Sequence, residues 1–182
     1  MSEPKSYKSV IKHYALKPHK FQKFYKHLPK LLEGFGFDIA IGYLFSRLEM
    51  AQNMIIYCGI TKLHRCDKTI VDIAISQWRR TREGFIEKYK NIYGVGIPSV
   101  ILNKIKIAEG IRDRILHGKS VKDSKKRQAI VDALDYSEAL NEHVYSRAGF
   151  KPFGDLRGYK GRGRPLDRNT TRWVLKGMGF NV

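Results

Sequence analysis

The sequence is poor in acid. Against 35 Lys and Arg it carries 17 Asp and Glu, a formal charge of +18. A compact body with that imbalance repels itself, and the usual compensation is a polyanion: RNA, DNA or an anionic membrane surface. A merely solubilising surface would intersperse both signs, so nucleic acid is the leading reading. Cysteine is scarce as well. Cys58 and Cys66 form no Cys-x-x-Cys pair and are too few to staple a secreted scaffold. With His64 they match no zinc-ligand spacing. Half-buried or buried thiols in a reducing, cytoplasmic compartment are expected, and neither a metal nor a cofactor is called for. Long apolar runs are also missing. The most apolar stretch, Phe35 to Phe45, is short, contains Asp38 and two glycines, and cannot span a bilayer. Met1 to Lys30 lacks the apolar core of a secretory signal. A soluble protein with no membrane partner is the expectation. Nor does any convincing stretch alternate with period two, so strands are not expected.

What is present is helical periodicity. Hydrophobic residues make up 42% of 182, enough to bury a core. From Asp38, Ile41, Leu44, Phe45, Leu48, Ala51, Ile55 and Ile56 recur at three- and four-residue steps, and Gly59 with the polar stretch to Arg65 ends the run. Asp67 reads as the N-cap of a second helix on which Ile70, Val71, Ala74, Trp78, Phe85 and Tyr89 share a face. Tyr93 to Pro98 is a loop. Ser99 then caps a third helix with Ile101, Ile105, Ala108, Ile111 and Ile115, stopped by Gly118. A fourth runs from about Ser124 to Arg147 and turns Ile130, Ala133, Leu134, Ser137, Leu140 and Val144 inward. The fold class is therefore all-α, a four-helix bundle over 38–148 with basic extensions at 1–37 and 149–182.

The extensions carry most of the charge pattern. The first thirty residues interleave lysines, among them Lys20, Lys23 and Lys26, with Tyr7, Tyr14, Phe21, Phe24 and Tyr25. Lysines so spaced can follow a phosphate backbone while aromatic faces stack on bases. The plainer alternative packs Val10, Ile11, Phe21, Phe24 and Leu28 on the core in helices broken at Pro18 and Pro29. After Gly149, glycines punctuate a segment with Arg157, Lys160, Arg162, Arg164 and Arg168. It has one short helical candidate, Asn169 to Lys176, capped by Asn169 or Thr170. Gly161 to Pro165 resembles the Arg-Gly-Arg-Pro core of AT-hook peptides, which makes DNA a conceivable partner. Sequence-tolerant phosphate binding is the simpler job.

The chemistry-bearing stretch is Ile111-Arg112-Asp113-Arg114-Ile115-Leu116-His117-Gly118. Asp113 and His117 stand one helical turn apart, so the carboxylate can accept a hydrogen bond from the imidazole and fix its tautomer. Arg112 sits about 140° round from His117 on an ideal helix, within reach of a long guanidinium in a loosening last turn. An imidazole can manage the proton of a ribose 2′-hydroxyl, and a guanidinium can stabilise the charge that gathers on phosphorus. The bland alternative is a histidine that meets the last carbonyls of its helix, among solvated charges.

Arg112-x4-His117 at the end of the third helix resembles the signature of HEPN domains: an Arg, a polar residue directly after it, and a His four to six positions beyond the Arg. The resemblance covers about Asp38 to Ala148. It implies a helical bundle that dimerises so that two Arg/His motifs share a cleft, and RNA cleavage by the substrate's own 2′-hydroxyl without a metal, leaving a cyclic phosphate. Carried over, His117 is general acid or base, Arg112 the transition-state stabiliser, and Asp113 the group that orients His117 or substrate. Many nuclease members carry Asn where this chain has Asp113, and an added negative charge beside a phosphate opposes binding. The expectation is thus a homodimeric, metal-independent endoribonuclease in a toxin or phage-defence setting, with an antitoxin or activating partner conceivable. Lys20, Lys23, Lys26, Arg114, Lys119, Arg157, Lys160, Arg162, Arg164 and Arg168 would hold the RNA. The rivals are a non-catalytic nucleic-acid-binding module and a membrane-surface protein whose lysines meet anionic lipid.

Overall fold

A computed structural model describes residues 4–79, 81–159 and 163–182. Among the described residues the regular structure is helical throughout, with α1 at Tyr7–Ala15, α2 at His19–Phe24, α3 at Leu28–Gly34, α4 at Phe37–Leu63, α5 at Lys68–Gln77, α6 at Arg82–Tyr93, α7 at Ser99–Leu116, α8 at Asp123–Ala148 and α9 at Arg168–Gly177. No helix in them is long and apolar enough to cross a membrane. The chain divides into two compact units, one of Met1–Glu49, Pro98–Asn141 and Phe153–Asp155, the other of Met50–Ile97, Glu142–Pro152 and Leu156–Val182.

In the first unit the lysine-rich start is part of the core. Ser6 caps α1 in a reciprocal box with Ser9. Val10, Phe21, Tyr25 and Leu28 are fully or almost fully buried, and Tyr14 and Phe24 nearly so. Phe21, Phe24, Tyr25 and Phe153 pack their rings with centroids 5.0–6.4 Å apart. These aromatics are therefore walls of the interior and are not free to stack on bases. Tyr25 has its hydroxyl 2.9 Å from Ser137 Oγ. Ser137 donates to the Ala133 carbonyl at 2.7 Å, so Tyr25 is the donor in the first bond and both buried hydroxyls are satisfied. A charged cluster fixes α1 to α8. Asp135 Oδ1 meets His13 Nε2 at 2.7 Å and Lys17 Nζ at 2.6 Å, while Lys17 also donates to Glu138 at 2.8 Å. Burial raises the Asp135 carboxyl, but the bonds from His13 and Lys17 outweigh it and hold the group down at about 2.

In the second unit the expected second helix is two. Asp67 caps α5, accepting from the Ile70 N–H at 3.2 Å as the sequence indicated. The helix then ends at Trp78, whose backbone is extended, and Thr81 starts α6 by accepting from the Gly84 N–H at 3.0 Å. A second good N-cap so close downstream competes with continuation. Gly59 does not end α4, which runs on to Leu63. A Cβ there would lie 2.7 Å from Ile92 Cγ2 and 2.8 Å from the Tyr93 hydroxyl, so the glycine lets α6 approach closely. The short helix of the C-terminal segment is capped by Asp167, not by Asn169 or Thr170. Its inner face buries Thr171 and Leu175 on the side that meets α5, and Thr171 Oγ1 accepts from the Asp67 N–H at 3.0 Å. Burial pushes the Cys58 thiol up to about 12 and the Cys66 thiol up to about 11. Both are inert neutral thiols at physiological pH.

Candidate active site

The motif lies at the end of α7, which belongs to the first unit. Pro98, not Ser99, is the N-cap; Ser99 is already helical and its side chain makes no cap bond. Ile101, Ile105 and Ala108 are buried, whereas Ile111 and Ile115 are only half-buried. The apolar stripe thus leaves the interior as the helix approaches its chemical end. Termination follows the pattern expected of Gly118. Its φ is +68, its N–H donates to the Ile115 carbonyl at 2.9 Å, and Lys119 N–H donates to the Arg114 carbonyl at 2.9 Å. This pair of bonds is a complete Schellman stop, and it makes His117 the C-cap residue.

Arg112 is the organised residue. Its Nε and Nη2 donate to Asp113 Oδ1 at 3.1 and 2.9 Å, and its Nη1 donates to Glu49 Oε1 on α4 at 3.2 Å. Its guanidinium carbon also lies 4.9 Å from the centre of the Phe45 ring, one turn before Glu49 on the same face of α4. Two carboxylates and an aromatic face therefore clamp one cation. The Arg112 side chain keeps 27% of its exposure, and Glu49 and Asp113 keep 55% and 56%. The clamp is at the surface and open to exchange.

His117 is placed differently from expectation. It is exposed, and among the described residues its ring makes no hydrogen bond or ion pair. The Asp113 carboxylate that was expected to hold its tautomer is taken by Arg112. Sequence adjacency favours that outcome, because the forked guanidinium offers two donors to one carboxylate oxygen while the imidazole offers one. The site in one chain is thus a neutralised arginine and, five residues on at the C-cap, an imidazole unengaged among the described residues. Glu49, which from its place on α4 could reach an adjoining cleft, enters the site through Arg112.

The cationic residues divide between the two units. In the first, Lys23 and Lys26 are exposed and unpaired among the described residues, but Lys20 is held by Asp155 at 2.7 Å. Arg114 reaches the Ser120 carbonyl at 3.4 Å, and Lys119 is exposed beside the motif. Lys122 and Lys125, which sequence reading passed over, add two more exposed cations just beyond it. In the second unit Arg157, Arg164 and Arg168 are exposed. Lys160 and Arg162, with Gly161 of the AT-hook-like stretch, lie outside the described residues. Among the described residues no three His, Cys, Asp or Glu side chains converge as metal ligands.

His143 is a packing residue. Its ring stacks on Tyr89 with centroids 5.8 Å apart, and its Nε2 is buried with no hydrogen-bond partner among the described residues. Burial and the nearby Arg147 lower its pKa, against a smaller opposing effect of the Gly96 backbone.

No family model matches the sequence, and no solved structure matches it. The chain is similar to glycerol-3-phosphate dehydrogenase (NAD(P)+) of Leifsonia xyli subsp. xyli (strain CTCB07), at 28% identity over 113 residues, which is 62% of this chain and 30% of that enzyme. The chain spans under a third of the length of that curated protein, and a likeness of this extent assigns no activity here.

Proposed function

We propose that the protein is a HEPN-type endoribonuclease that cleaves RNA through attack of the ribose 2′-hydroxyl on the adjacent phosphorus. The observation that supports this reading is that an exposed imidazole at His117, unengaged among the described residues, and the Arg112 guanidinium both stand near the C-terminal end of α7. In the reaction His117 takes the 2′-hydroxyl proton or returns one to the departing 5′-oxygen. The 2′-oxygen bonds to phosphorus as the 5′-oxygen leaves, giving a cyclic phosphate. Arg112 stabilises the charge on the non-bridging oxygens. The homodimer comes from the HEPN resemblance, in which two copies meet at this end and would supply one imidazole for each proton transfer. Exposed Lys23, Lys26, Arg114, Lys119, Arg164 and Arg168 would bind phosphates. A defence or toxin role, with an antitoxin or activating partner, belongs to the same proposal.

One observation favours a second reading, a non-catalytic RNA-binding module. Glu49 and Asp113 already satisfy Arg112, so a phosphate must displace at least one of them before the guanidinium can serve it. The two readings part on a single experiment: cleavage of a mixed RNA pool in excess EDTA by the native chain and by His117→Ala. Cyclic-phosphate ends from the native chain alone support the nuclease. Equal RNA binding with no cleavage by either supports the module.

A further inference from the structure

Trp173 is 73% exposed in the middle of α9. The indole is the largest apolar side chain, and burying it would contribute more to folding than burying any neighbour. The helix had the means to bury it, since its other face carries Thr171 and Leu175 at 0% exposure and Met178 follows at 5%. Trp173 lies about 160° round from both Thr171 and Leu175, so the register of α9 keeps it in solvent. The outward half of the helix that it shares also holds Arg172 and Lys176, both exposed and unpaired among the described residues.

The local charge is one-sided. From Arg164 to Lys176 there are four cations, Arg164, Arg168, Arg172 and Lys176, and a single acid, Asp167. That acid is occupied. Its oxygens accept from the N–H groups of Asn169 and Thr170 and from the Thr170 hydroxyl at the helix start, and it neutralises none of the four. The chain leading into α9 is anchored where the Leu166 N–H donates to the Arg65 carbonyl at 2.7 Å. There a cavity of about 240 Å³ opens, lined by Arg65, Lys68 and Tyr159 among others. Neither Arg65 nor Lys68 has a side-chain partner among the described residues.

We propose that the outward face of α9 is a stacking platform for single-stranded RNA: Trp173 takes the face of an unpaired base, and Arg172 and Lys176 take the phosphates beside it. A flat indole beside two cations that are unpaired among the described residues fits a polyanion that presents bare aromatic faces. A duplex offers the same phosphates but keeps its bases stacked inside. The proposal rests on the reading of the protein as acting on RNA, and it is tested by binding alone.

The test is fluorescence anisotropy of a labelled oligouridine of about ten nucleotides with the full chain carrying His117→Ala, which prevents cleavage during titration. Trp173→Ala should weaken binding about ten-fold, Trp173→Phe should restore most of it, and affinity for an RNA duplex should change less than about two-fold. Trp173→Ala should leave the salt slope unaltered, whereas Arg172→Ala should lower it by about one. Because Trp173 is 73% exposed, the variants are expected to fold, and thermal melts check that. The proposal is overturned if Trp173→Ala binds oligouridine as the parent does, or loses single strand and duplex alike. It is equally overturned if the face instead binds vesicles rich in phosphatidylserine and ignores RNA. A failed cleavage assay leaves this binding result standing, and a failed binding result leaves the α7 motif untouched.

Discussion

Arg112 on α7 donates to Glu49 on α4 at 3.2 Å, across 63 residues of sequence. With Asp113 it makes the candidate stabiliser of a pentavalent phosphorus a cation that is already neutralised. Substrate phosphate and Glu49 then compete for one guanidinium.

Removing the competitor should help. Glu49→Gln is expected to raise RNA affinity about five-fold, the order of one screened unit charge at contact distance. Asp113→Asn should act in the same direction and Arg112→Ala in the opposite one. Filter binding at fixed ionic strength measures all three; weaker binding by Glu49→Gln would show that Glu49 positions Arg112 instead of blocking it.

Acid should destabilise the first unit through one carboxylate. Asp135 is held down at about 2 from an ordinary 3.8, so the unfolded chain binds the proton first as pH falls. Its contribution is complete above the ordinary value and is lost between 3.8 and about 2. Asp135→Asn should cost about 2 kcal/mol at neutral pH, the order for charge-assisted bonds lost from a part-buried site. It should also flatten the acid limb of denaturant midpoints plotted against pH.

His143 contributes a second acid limb nearer neutrality. Its pKa is lowered by burial from 6.5, so the unfolded chain again takes the proton first. Stability from this group is complete above 6.5 and declines as pH falls below it. In His143→Phe, which keeps the stack on Tyr89, thermal midpoints should lose their slope just below pH 6.5; an unchanged slope would mean that the ring titrates freely.

Two glycines should respond to alanine for different reasons. Gly118 has φ +68 but open space where a Cβ would go, so Gly118→Ala should cost about 1 kcal/mol from backbone conformation alone. Gly59 has ordinary helical backbone but would drive a Cβ into Ile92 and Tyr93, so Gly59→Ala should cost about 1–3 kcal/mol from overpacking. Denaturant unfolding compares them, and only Gly118→Ala should also disturb any activity that depends on His117.

The stripes of α4, α7 and α8 were legible because burial imposes a helical period on the residues themselves. Asp67 and Gly118 were legible because a cap and a stop are local chemistry. The break between α5 and α6 was not, since Trp78, Phe85 and Tyr89 keep helical spacing across it. Tyr14, Phe21, Phe24 and Tyr25 fit a core and a stacking surface equally well until Phe153 and Ser137 are known to meet Tyr25. That packing also changes how the basic start can be tested. Deleting it would remove Val10 and Leu28 from the core, so Lys23→Ala with Lys26→Ala is the informative change. At the site, Arg112 and His117 could be read from spacing, and Glu49 as a residue able to reach an adjoining cleft, but its bond to Arg112 could not, because the two are remote in sequence.

The most direct measurement is the end group left on a mixed RNA pool after incubation with the native chain in excess EDTA, beside His117→Ala and Arg112→Ala. The nuclease reading predicts 2′,3′-cyclic phosphate ends from the native protein and loss of cleavage in both variants. Cleavage that persists in His117→Ala, or ends bearing a 5′-phosphate and a free 3′-hydroxyl, would contradict it.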